Sequence, residues 1–129
     1  MSERNIIKSI LPIIEVENTT SVPLEKFQNQ TLRQILKFQN QLILQVFENF
    51  LLDYKIDFKY LSPEKKKNKV HEFLKDNLQV KQFYTGLIVA FFSREEFQFY
   101  TENKKEINKR INSLLIERIS SQISDISHL

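Results

Sequence analysis

The sequence predicts an all-α fold: one domain over residues 1–129, a helical bundle of about four to five helices with two long members at about 23–55 and 94–124. Three observations carry this expectation. Apolar–polar alternation, the mark of a half-buried strand, is nearly absent. A single glycine, Gly86, and three prolines leave few places for tight hairpin turns. Three helix-start signals divide the chain, at Ser21-Val22-Pro23, Ser62-Pro63-Glu64 and Ser93-Arg94-Glu95-Glu96. A chain of 129 residues buries roughly two-thirds of its unfolded surface and needs neither disulfide nor metal to fold.

In chain order, the apolar pattern predicts a helix at 3–15, broken at Pro12, then a β-branched linker over 16–22. Pro23 suits a first helical turn and opens the segment 23–55. At about 100° per residue, Leu24, Phe27, Ile35, Phe38, Leu42 and Val46 make one apolar stripe there. Leu32, Leu36, Ile43, Phe47, Phe50 and Tyr54 make a second beside it, so this helix is expected to touch two or more neighbours. Residues 56–62 connect to a helix at 63–78, where Ser62 caps and Glu64 meets the positive helix end. The run from Gly86 to Phe92 has no second strand to pair with. It reads as part of a buried helix at 80–92 in the bundle centre, with Gly86 permitting close helix approach. Ser93 and Glu96 form a capping box for the last helix, whose apolar face holds Phe97, Tyr100, Ile107, Ile111, Leu114, Leu115, Ile119 and Ile123.

The tetrapeptide FQNQ occurs at 27–30 and again at 38–41. Eleven residues turn a regular helix through about three full turns, so both copies are expected at one azimuth. Phe27 and Phe38 then pack in the core, Gln30 and Gln41 meet water, and Asn29 and Asn40 lie at the apolar border. Gln28 and Gln39 fall in the middle of the apolar arc, where an unsatisfied amide costs about 1–3 kcal/mol. The last helix offers partners, since Asn108, Arg118 and Gln122 share its apolar face, while Arg110 and Glu117 point away. Asp53 or Glu25 is the expected acceptor for Arg118. Gln28, Gln39, Asn40, Asn108, Arg118 and Gln122 thus form a predicted polar layer. Such a layer fixes helix register or a dimer seam, lines a pocket for a small molecule or anion, or in part reaches solvent.

Other chemistries are excluded or bland. Absence of cysteine removes disulfides, thiolate metal sites and thiol nucleophiles. The two histidines, His71 and His128, lack readable partners, and no inward Glu-x-x-His motif accompanies them, so no catalytic residue, metal ligand or cofactor is assigned. Net charge is +3, and the one basic cluster, Lys59, Lys65, Lys66, Lys67 and Lys69, reads as a solvated helix start rather than a nucleic-acid patch. No apolar run reaches the ~18 residues of a membrane span and no secretory signal is visible, so a cytoplasmic protein without a membrane partner is expected.

Three segments, FQNQTLRQILKFQNQL at 27–42, FYTGLIVAFFSREEFQFY at 83–100 and INKRINSLLIERISSQ at 107–122, resemble a family of small bacterial proteins that sometimes carry an automatic glyoxalase label. Gln34 departs from that family's pattern, in which proline is expected. The resemblance implies a glyoxalase-type lyase or isomerase as one reading, with a metal site that would include His71 and carboxylates such as Glu72 or Asp76. The leading expectation from the residues themselves is a binding or assembly module, self-associating as a homodimer or joining another protein through its wide apolar helix faces.

Overall fold

The computed structural model describes residues 23–123, and every regular element among them is helical. The helices are α1 (23–38), α2 (Asn40–Asp53), α3 (Pro63–Asp76), α4 (Leu78–Val89), α5 (Arg94–Glu102) and α6 (Lys104–Ser121). The architecture is an all-α bundle, with six helices in place of the four to five expected. The segments expected at 3–15 and 16–22, Ser21 among them, and the tail with His128 lie outside the described residues.

Local chemistry explains most boundaries. Ser62 accepts a hydrogen bond from Lys65 N–H and Pro63 follows in the first turn, as expected for the start of α3. The Ser93–Glu96 capping box is complete: Ser93 N–H donates to Glu96 Oε1 at 2.8 Å, and Glu96 N–H donates to Ser93 Oγ at 3.2 Å. Asn77 ends α3 and starts α4, its side chain accepting from Val80 N–H at 3.0 Å.

The long helix expected at 94–124 is divided at Asn103. The Asn103 side chain donates to Phe99 O at 3.0 Å, taking the carbonyl that its own backbone N–H would use in a continuous helix. That N–H reaches Tyr100 O instead. Helix α2 closes with Lys55 at φ 55°, the left-handed conformation that glycine adopts most cheaply. Ile56 N–H donates to Leu51 O at 2.8 Å and Lys55 N–H to Leu52 O at 3.2 Å, the paired bonds of a Schellman ending.

The long helix expected at 23–55 departs from regularity twice. Gln28–Leu32 forms a π turn inside α1, and Gln39, at φ −95° and ψ 12°, separates α1 from α2. Backbone bonds still span the second break, from Gln39 N–H to Ile35 O and from Ile43 N–H to Gln39 O, both 2.9 Å. A π turn fits an extra residue into the spiral and so rotates everything beyond it. Phe27 is buried, whereas Phe38, expected beside it in the core, is 42% exposed.

The core joins all six helices through Leu32, Ile35, Ile43, Phe47, Val70, Leu74, Tyr84, Ile88, Tyr100, Ile107, Ile111 and Ile119. Helix α6 packs against α3, α4 and the π turn of α1. Helices α2 and α4 run antiparallel: Phe50 pairs with Phe83 at 5.3 Å, Phe38 just before α2 pairs with Phe91 just after α4 at 6.0 Å, and Tyr54 Oη just after α2 donates to Gln79 Oε1 at 2.7 Å. On α4 one stripe is buried, Val80, Tyr84 and Ile88, so this helix flanks the bundle rather than forming its centre. Gly86 is exposed and a Cβ there would meet nothing within 4 Å, which removes the expected close approach. Leu42 and Phe97, both assigned to apolar faces, are 43% and 48% exposed.

Candidate functional site

The polar residues of α1, α2 and α6 meet along one seam. Arg110 Nη1 donates to Gln28 Oε1 at 2.9 Å. One step further along, Asn40 Nδ2 donates to Gln122 Oε1 at 2.8 Å, and Gln122 Nε2 returns a bond to Asn40 Oδ1 at 2.7 Å. Arg118 Nη1 also donates to Asn40 Oδ1, at 3.1 Å, and Gln122 Nε2 reaches Arg118 O at 3.0 Å. Gln28 with Arg110, and Asn40 with Gln122, are each 82 residues apart, so the two strips of chain run parallel in fixed register.

This register shows which amides the sequence periodicity misplaced. An eleven-residue repeat on a regular helix pairs Gln28 with Gln39. With the π turn inserted, the repeat of position is twelve residues, and Gln28 pairs with Asn40. Gln39 is buried at 5% exposure, in keeping with its place in the apolar arc, but neither its Nε2 nor its Oε1 has a hydrogen-bond partner among the described residues.

Of the six predicted layer residues, the structure brings Asn40, Arg118 and Gln122 into one network and places Gln28 at the same seam. Asn108 lies apart, accepting from Tyr100 Oη at 2.6 Å. Arg110, expected at the surface, is half-buried, with its Nε enclosed and unpartnered. Arg118 uses a neutral amide rather than Asp53. That carboxylate accepts from Asn49 one turn earlier on α2. A π turn announced by proline or glycine would have been readable, but the segment QNQTL contains neither.

The seam is electropositive. Burial pushes Arg118 below the usual arginine value, neighbouring Arg33 adds to that effect, and Glu117 opposes it. A cleft of about 210 Å³ opens beside it, lined by Arg33, Leu36, Glu117, Arg118, Ser121 and Gln122 among others. A second, of about 320 Å³, shares Arg33 and Glu117 and adds Gln28, Lys109 and Arg110.

The residues implied by the glyoxalase resemblance do not assemble in this way. His71 is exposed, and a cleft of about 500 Å³ beside α3 is lined by Lys69, Glu72 and Asp76 without it. Among the described residues no group of three or more His, Cys, Asp or Glu side chains comes together as a metal site. No helix among them is long and apolar enough to cross a membrane. Comparison with protein-family models, curated proteins and solved structures gave no match.

Proposed function

We propose that this protein is an assembly module of the cytoplasm, and that a second copy packs on the outer face of α2 and α4. One observation carries the reading. Of eight large hydrophobic side chains exposed among the described residues, six lie on α2 and α4 or beside their ends: Phe38, Leu42, Leu52, Tyr54, Leu78 and Phe83. Exposed apolar side chains gathered on one face mark an interaction surface rather than ordinary scatter. An apolar face finds its complement in another apolar face, and a two-fold dimer supplies one of identical chemistry. The aromatic members give large contact area at small entropic cost.

The test is light scattering at micromolar concentration on the unaltered chain and on Phe83→Lys, which changes an exposed side chain. A dimer that becomes monomeric in the variant is expected. A strict monomer in the unaltered chain, or association that ignores Phe83→Lys, overturns the reading.

A further inference from the structure

We propose that the seam between α1 and α6 binds a phosphoryl group, on inorganic phosphate or a small phosphorylated molecule, between the guanidiniums of Arg33 and Arg118. The proposal concerns a different surface from the α2–α4 face and stands or falls independently of it.

Arg118 is half-buried, yet its hydrogen bond goes to an uncharged acceptor, Asn40 Oδ1. A charge removed from water beside a second cation, with no carboxylate bonded to it among the described residues, raises the free energy of the empty seam. An oxyanion entering the cleft relieves that cost by supplying the counter-charge. The guanidinium is also held ready. Asn40 and Gln122 hold each other through two amide hydrogen bonds, and Gln122 fastens to the Arg118 carbonyl, so little side-chain freedom remains to be lost on binding. Arg33 spends its Nε on Asn29 Oδ1 at 3.2 Å, which orients the planar fork that suits phosphate oxygens.

The surroundings agree in charge. Four cations, Arg33, Lys109, Arg110 and Arg118, line the two adjoining clefts against two carboxylates, Glu106 and Glu117. The cleft of about 210 Å³ accommodates a phosphoryl group with a few attached atoms and is too small for a polymer. The chemical class is therefore a small phosphate. On α3, Lys65, Lys67 and Lys75 are open to solvent, and the cleft that Lys69 lines is shared with the carboxylates Glu72 and Asp76.

The test is calorimetric titration with inorganic phosphate and then pyrophosphate at constant ionic strength, against chloride. Saturable binding is expected, weakened about tenfold or more in Arg33→Gln and in Arg118→Met, since each loses a charge-assisted bond. Glu117→Gln is expected to tighten binding, an effect that a purely structural seam does not produce. Preference for pyrophosphate over phosphate would indicate that the ligand extends into the Lys109–Arg110 cleft. No saturable heat with either anion, unchanged affinity in Arg33→Gln, or loss of binding only when Lys65, Lys67 and Lys69 are neutralised overturns the proposal. Arg33 is exposed, so its variant remains informative if Arg118→Met fails to fold.

Discussion

The two long surfaces of this bundle solve opposite problems. Along the α1–α6 seam, parallel segments meet through amides and guanidiniums, and each bond fixes position because it needs a partner at one distance and angle. Along α2 and α4, antiparallel helices meet through ring edges, with interplanar angles of 64° and 89° at the Phe38–Phe91 and Phe50–Phe83 pairs. Ring contacts contribute mainly area and tolerate small shifts. The polar seam therefore fixes register, while the aromatic pairs supply contact area between α2 and α4.

The largest way to break this contrast is at Gln39, the buried amide where α1 meets α2. If the seam alone needs polarity, Gln39→Leu should raise unfolding free energy by about 1–3 kcal/mol in denaturant titration, because a buried amide with no partner is replaced by hydrocarbon. Destabilisation instead would mean that the amide belongs functionally to the seam.

The second test probes polarity inside the aromatic side. Tyr84 Oη donates to Ile43 O at 2.9 Å from full burial, so Tyr84→Phe should cost about 1 kcal/mol. Burial pushes the Tyr84 hydroxyl's ionisation up from its ordinary value. A raised folded-state value means the stabilisation is complete below the unfolded tyrosine value of about 10 and is lost as pH rises above it. The phenylalanine variant should accordingly lose less stability than the parent in melts at alkaline pH.

The smallest effect is expected on the outer surface. Gly86→Ala places a methyl group in open space on an exposed helix and should add about 0.5–1 kcal/mol. If that face is a dimer surface, the gain should change with protein concentration. If nothing covers it, the gain should be independent of concentration.

What the sequence made legible follows the same division. Caps at Ser62 and Ser93 were readable because each is a local event within four residues. Grouping Asn40, Arg118 and Gln122 was possible because apolar periodicity runs undisturbed within each short helix. The π turn was not readable, since no residue in QNQTL demands it. Contacts from distant chain hold it: Arg110 grips Gln28, and Glu96 accepts from Thr31 Oγ1 at 2.8 Å. That single inserted residue moved Phe38 from core to surface and gave Asn40 the place expected for Gln39. The break at Asn103 was missed for a related reason, because an asparagine in mid-helix can point to solvent or capture a carbonyl, and sequence alone does not choose.

The separation of 82 residues across the seam has a consequence for how the chain comes to exist. The partners of Gln28 and Asn40 lie 82 residues further along, so a nascent chain leaving the ribosome must extend by that much before these two amides can be satisfied. At about 5–20 residues per second, that interval lasts several seconds, ample time for α2 to α4 to collapse on one another first. The polar seam can close only after α6 has emerged, later than any contact among α2, α3 and α4.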